Sequence, residues 1–253
     1  MFYFLLAIAF IFGLSIGSFL NVLVLRMDSL NTVWNTRSHC PNCKHTLAWY
    51  DLVPLFSYAI LRGRCRYCRK PISWQYPLVE LITGTIFGVL FAKYGFDLSL
   101  LYYGVIFSLL MVVAVYDIKT QLVPEYFVWG ALILALLGGW YFGNFGFLSM
   151  IYGGLVSGGL LAILVYASRE KWMGAGDIKI GLILGFLLGY PIAIFGIFAS
   201  FLIGAVIGLI YIYFKRKTIK ASLPFAPFII FSILFALIIG QTVFDWYWGT
   251  FLY

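Results

Sequence analysis

The chain has 253 residues, 63% of them hydrophobic and 10% charged, with a formal net charge of +8 and a mean hydropathy of +1.00. Soluble domains average roughly 45–50% apolar and about 25% charged residues, so a soluble enzyme, a disordered chain and a secreted disulfide scaffold are excluded. A polytopic membrane protein remains, and its basic excess reads as a topology signal and not as a nucleic-acid surface.

The first apolar stretch, 2–25, starts at the initiator Met, lacks a basic n-region and shows no small-residue cleavage site. It reads as a retained anchor. A polar stretch, 27–74, follows. Seven further apolar stretches come after it, at 75–93, 99–116, 126–143, 148–167, 178–190, 192–214 and 225–243. A spanning helix needs about 20 apolar residues, so the sixth stretch, cut short before Pro191, is the weakest. The expected fold is an all-α polytopic membrane protein, a bundle of about eight transmembrane helices with a small cytoplasmic loop domain. Its expected parts are a first helix over 1–26, the loop domain over 27–74 and the main bundle over 75–253. With the N-terminus outside, every Lys and Arg but Lys93 falls in 26–74, 117–125, 168–179 or 215–224, which the positive-inside rule assigns to the cytoplasm. Glycines four residues apart, such as Gly13/Gly17 and Gly181/Gly185, suit close helix packing. No internal repeat of 20–50 residues is evident.

The loop domain carries Cys40-Pro-Asn-Cys43 and Cys65-Arg-Tyr-Cys68, the only cysteines in the chain, with 21 residues between the pairs. Two CxxC knuckles at this spacing are the usual arrangement of a four-thiolate zinc site. A loop this small needs such a staple, and disulfides are rare in the cytosol. Reduced, unmetallated thiols are the alternative. Four sulfurs close the coordination shell, so the metal is structural. His39 and His45 then read as surface residues.

Two carboxylates sit at the same membrane edge. Asp117 ends the third span and Asp177 opens the sixth, within Gly174-Ala175-Gly176-Asp177-Ile178-Lys179. If they meet, they share a proton, and one acts as base on water while the other polarises a carbonyl. The plainer readings make Asp177 an N-cap and Asp117 a helix-end charge paired with Lys119. Gly174 and Gly176 permit unusual backbone conformations and close chain approach. Glu80, early in the second span, could snorkel, pair with a basic loop residue or serve a second activity. Asp28, Asp51, Glu125 and Glu170 read as ordinary loop charges.

In order along the chain, Gly17-Ser18-Phe19-Leu20-Asn21-Val22, the two CxxC pairs, the segment Ile72-Ser73-Trp74-Gln75-Tyr76-Pro77-Leu78-Val79-Glu80, Asp117 leading to Val123-Pro124-Glu125, Gly174 to Lys179, and Leu223-Pro224-Phe225-Ala226-Pro227-Phe228 resemble the motifs of the prepilin peptidases, or type IV leader peptidases, of the GxGD aspartic proteases. The family commonly has Leu/Ile-Pro-Asp where this chain has Val123-Pro124-Glu125, and Gly at the place of Ala226.

The resemblance implies Asp117 and Asp177 as the catalytic dyad, with Gly174, Gly176 and Lys179 in support, and Cys40, Cys43, Cys65 and Cys68 as ligands of a structural zinc. It implies a multi-pass protein of the bacterial inner membrane that removes the basic leader of type IV pilin or pseudopilin precursors after a Gly, at the cytoplasmic edge. It also implies N-methylation of the new terminus with S-adenosylmethionine as donor, although no GxGxxG pattern follows a strand. The partners are then the precursor and the lipid bilayer, with no nucleic acid. A non-catalytic assembly factor and a transporter with a structural zinc loop are the competing readings.

Overall fold

The computed structural model describes residues 1–27, 37–215 and 224–251; Asp28, Arg216, Lys217, Lys220 and Leu223 fall outside the described residues. Nine α-helices account for most of the rest: α1 Phe2–Leu25, α2 Phe56–Ile60, α3 Gln75–Tyr94, α4 Leu98–Thr120, α5 Glu125–Phe142, α6 Phe147–Ser168, α7 Ala175–Leu188, α8 Ile192–Lys215 and α9 Ala226–Phe251. Seven of them, all but α2 and α7, are long and apolar enough to cross a membrane. This is a multi-pass all-α membrane protein. Every apolar stretch read from the sequence corresponds to one helix, and their ends shift by a few residues.

By its contacts the chain forms two compact units, Met1–Val112 and Val113–Tyr253. In the first, α1 lies along α3 on a face of small residues. A Cβ added at Gly13 would come 2.7 Å from the Phe87 Cβ, and one at Gly17 would come 2.8 Å from the Glu80 Cα. The backbones approach because nothing stands between them, which is how helices associate where lipid gives no hydrophobic drive. The same unit carries the polar loop, whose fold is set by its two knuckles.

In the second unit α7 is central, touching α5, α6, α8 and α9. Its Ile180, Ile183 and Leu184 have no exposure. Its Gly185 lies against the backbone of Gly153 in α6, and the Ser157 hydroxyl donates 2.7 Å hydrogen bonds to the carbonyls of Gly153 and Gly181. At 14 residues α7 is about 21 Å long, short of a bilayer core of about 30 Å. It tolerates this because neighbouring helices, and not lipid, cover it. It ends at Gly189, whose φ of 65° is a conformation side chains resist.

Candidate functional site

The four cysteines converge. One sulfur from each of Cys40, Cys43, Cys65 and Cys68 lies within 4.8 Å of all the others, and the Cys40 and Cys68 sulfurs are 3.9 Å apart. A tetrahedron with metal–sulfur bonds of about 2.3 Å has edges of about 3.8 Å, so the donor set fits a metal of zinc's size. The two knuckles repeat each other with an offset of 25 residues. Cys40 N–H donates to the His45 carbonyl and Lys44 N–H to the Cys40 carbonyl. In the second copy Cys65 donates to Lys70 and Arg69 to Cys65. Leu47 to Ser38 and Ile72 to Gly63 close each turn at 2.8 Å. Lys44 and Arg69, the residues after the second cysteines, both have positive φ. The repeat escapes the sequence because beyond CxxC and a following basic residue the copies share hydrogen bonds and not side chains.

Burial alone would raise the Cys40 thiol, but backbone N–H groups of Cys43 and Asn42 and the adjacent thiols outweigh it and lower it to about 7. The thiolate form that binds metal is therefore accessible there. His39 and His45 are exposed, as expected; the His45 ring lies against that of Tyr67, centroids 3.7 Å apart and planes tilted by 36°. Asp51 is not an ordinary loop charge. Its Oδ1 accepts from Arg66 Nε at 2.7 Å, and its Oδ2 accepts from the Tyr67 hydroxyl at 3.1 Å and the Ala48 N–H at 3.3 Å. Arg66 and Tyr67 are the two residues inside the second CxxC, so Asp51 braces that knuckle from outside.

Glu80 is buried and takes no basic partner among the described residues. Its Oε2 accepts the Leu55 backbone N–H at 2.9 Å, with Ser18 also in contact. Leu55 has a φ of 59°, strained for a leucine. The carboxylate therefore pins an unfavourable loop residue to α3. Asn21, also buried, accepts from Gln75 Nε2 at 3.2 Å and donates to the Tyr76 carbonyl at 3.2 Å. Together these contacts give the sequence motifs around Asn21 and Glu80 a structural role.

The aspartates lie in the second unit, each at a helix end and each buried, at 5% exposure for Asp117 and 6% for Asp177. They are close enough for the charge on Asp117 to act on Asp177. Neither plainer reading holds in detail. Gly174 is the N-cap of α7, which makes Asp177 the third helical residue, with its carboxylate taking the Gly174 N–H. Asp117 Oδ2 accepts the Ala226 N–H at 3.2 Å, and no ion pair with Lys119 is present among the described residues. Ala226 opens α9, where helix N–H groups lack intrahelical acceptors. Sequence reasoning noted Ala226 only as a departure from a motif; its backbone, which no side-chain pattern reveals, is what reaches the aspartate.

The two glycines divide. At Gly176 an added Cβ would sit 2.6 Å from the Val123 side chain, so α7 can meet the segment after Asp117 only without a side chain there. Gly174 has an ordinary φ of −81° and open space at its Cβ position. Its backbone donor, and not its conformational freedom, serves Asp177. Glu125, read from sequence as a loop charge, forms an ion pair with Lys179, whose ammonium also lies 5.1 Å from the centre of the Trp129 ring. The pair holds Lys179 against α5. Val123 with Gly176, and Glu125 with Lys179, join the segment that follows Asp117 to the helix that carries Asp177.

Two family models match the chain. The bacterial peptidase A24 N-terminal domain covers residues 11–94, and the type IV leader peptidase family covers residues 104–209. The chain is 33% identical over 250 residues to a prepilin leader peptidase/N-methyltransferase of Bacillus subtilis, spanning 96% of this chain and 98% of the relative. It is 30% identical over 278 residues to one of Aeromonas hydrophila, spanning 97% and 94%. It is 34% identical over 207 residues to one of Myxococcus xanthus, spanning 79% and 61%. No solved structure matches the chain.

Proposed function

The chain belongs to the type IV leader peptidase family, and from that premise we propose that Asp117 and Asp177 are the catalytic dyad of a prepilin leader peptidase that also methylates the new N-terminus. The observation that carries this reading is the pair itself: two buried carboxylates from different helices, on segments joined by the Val123–Gly176 and Glu125–Lys179 contacts, with no ion pair at either among the described residues. Buried acids without cations are expensive and mark function.

In the proposed reaction the ionised carboxylate takes a proton from water while the neutral partner donates its proton to the scissile carbonyl oxygen. The water oxygen bonds to the carbonyl carbon and gives a gem-diol. Collapse then breaks the C–N bond, and a proton passes from the dyad to the leaving amine. The Ala226 and Gly174 N–H groups orient the two carboxylates and leave their other lone pairs for water and substrate.

The basic side of the bundle is proposed to be cytoplasmic, in a bacterial inner membrane. The substrate is then a pilin or pseudopilin precursor, whose basic leader stays in the cytosol and whose apolar helix enters the bilayer. Zinc is proposed for Cys40, Cys43, Cys65 and Cys68, where it would cross-link the knuckles and leave no coordination position for chemistry. The methyl donor implied by the relatives' names is S-adenosylmethionine. The clefts of the loop domain are lined by apolar side chains and arginines, a poor match for a sulfonium cation and a ribose diol.

The test is co-expression with a type IV pilin precursor, reading leader removal by gel shift and the new terminus by mass. Wild type should cleave after a Gly and add one methyl group. Asp117→Asn and Asp177→Asn, at matched membrane levels, should each abolish cleavage. Cleavage that survives either substitution sinks the dyad.

A further inference from the structure

The loop domain has two adjoining clefts, and Cys65, in the wall of the smaller, is the one cysteine that lines either. The larger, about 560 Å³, runs between Tyr58, Ala59 and Arg62 on the α2 side and Trp74, Leu78 and Leu81 on the α3 side. Arg62 is the one charged residue of its lining. The second, about 470 Å³, shares Arg62 and adds Arg64, Arg66 and Arg69. Arg66 is engaged by Asp51, whereas no ion pair of Arg62, Arg64 or Arg69 is present among the described residues.

Three observations say what fits. Leu78 and Leu81 belong to a membrane-spanning helix and are exposed, so the apolar cleft opens onto a surface that faces lipid. Trp74, at the start of that helix, is 77% exposed, and Phe56 and Ile60, one turn apart on α2, are 66% and 74% exposed. In water these side chains are a liability; at a membrane interface they insert. Finally, arginines with no acid partner among the described residues, at the end of an apolar slot, suit a ligand with a hydrocarbon tail and a negative head.

We infer that this cleft binds an anionic phospholipid, with an acyl chain along Tyr58, Leu78 and Leu81 and the headgroup phosphate at Arg62. Arg64 and Arg69 select net negative charge over a zwitterionic headgroup. The bound lipid fixes the cysteine-bearing domain against the membrane surface.

The test uses the full chain, purified with an equimolar supply of phosphatidylglycerol and phosphatidylcholine and examined by native mass spectrometry. Wild type should retain phosphatidylglycerol preferentially. Arg62→Gln should cut that preference about fivefold, the attraction expected of one basic side chain near an anionic lipid, and Arg62→Gln/Arg64→Gln should cut it further. Ala59→Trp should fill the slot and remove both lipids. Metal content and gel-filtration profile serve as folding controls. Equal retention of the two lipids by wild type overturns the inference. So does a preference untouched by the arginine substitutions, and so does displacement of the lipid by S-adenosylmethionine or by inorganic phosphate.

Discussion

Asp51 in the loop domain and the two aspartates of the helical unit all turn their carboxyl groups away from water but have opposite surroundings. Asp51 is 3% exposed and saturated, taking an arginine, a tyrosine hydroxyl and a backbone amide. Burial alone would raise its carboxyl, but Arg66, Tyr67 and the Ala48 N–H outweigh that and hold it below the usual carboxylate range. Asp117 and Asp177 each take one backbone amide, and neither takes a cation among the described residues. A carboxylate has about four lone-pair sites. Where donors fill most of them, the acid is a structural fastener. Where most are left open in a buried setting, the acid is available to water and substrate.

Removing the open acids should have the largest effect. Asp117→Asn or Asp177→Asn should lower cleavage by at least about a thousandfold, since acid–base groups of one dyad act as a unit, while metal content stays at the wild-type level. The double variant should be no worse than either single one, measured by cleavage rate in matched membranes. Additive losses would show that the aspartates work separately and would break the contrast with Asp51.

The saturated acid should show the reverse pattern. Asp51→Asn keeps the shape but loses the charge that holds Arg66 and Tyr67 between Cys65 and Cys68. Groups that support metal ligands from outside typically contribute about 10–100-fold in affinity. The cysteine site of Asp51→Asn should therefore release metal at roughly tenfold lower chelator concentration. Cys40→Ser should lose the metal outright and expose 37–74 to protease. Unchanged chelator resistance in Asp51→Asn would mean that the bracing is incidental.

Gly176→Ala tests the segment between the aspartates. The new methyl group meets Val123 at 2.6 Å, and overpacking of this kind costs about 1–3 kcal/mol. Cleavage should fall by about tenfold or more. Adding Val123→Ala should restore most of it, because the second change removes the obstructing side chain. Gly174→Ala has open space and an ordinary φ, and it preserves the N–H that Asp177 accepts. It should leave thermal stability unchanged. Equal sensitivity of the two positions would place the importance of both glycines outside the packing seen here.

What the sequence made legible and what it hid divide by the range of the interaction. Hydropathy is a local property, so all eight apolar stretches emerge as helices, and the short one, 178–190, is indeed the short α7. The cysteines announce themselves because metal geometry demands fixed spacing. Partners distant in sequence leave no such trace. The donor to Asp117 lies 109 residues away and is a backbone amide, Glu80 is matched to the backbone of Leu55, and Asp51 is matched to residues inside the second knuckle. Charge type alone suggested Lys119 for Asp117 and a basic partner for Glu80. The structure supplies amides instead, since a buried acid needs hydrogen-bond donors and a neutral donor satisfies it without a second charge to desolvate.

The smallest expected effect is the most discriminating for Lys179. Its pair with Glu125 is half in water: the Glu125 side chain is 58% exposed and that of Lys179 is 25% exposed. Exposed pairs contribute about 0–1 kcal/mol, so Glu125→Gln should barely alter thermal stability. Its consequence is positional. Without the carboxylate, the Lys179 ammonium is no longer held at Trp129. Asp177, two residues earlier, is on another face of the helix, so the freed cation acts on it through its field alone, favouring the ionised acid and opposing its proton-donating role. The alkaline limb of the cleavage pH profile, where the donor loses its proton, should then move to lower pH in Glu125→Gln, and Glu125→Asp should keep the wild-type profile. Glu125→Gln/Lys179→Met, which removes the freed cation, should restore the wild-type alkaline limb. If the double variant instead keeps the displaced limb, Lys179 is not what moved it, and the ion pair does no more than tie α5 to α7.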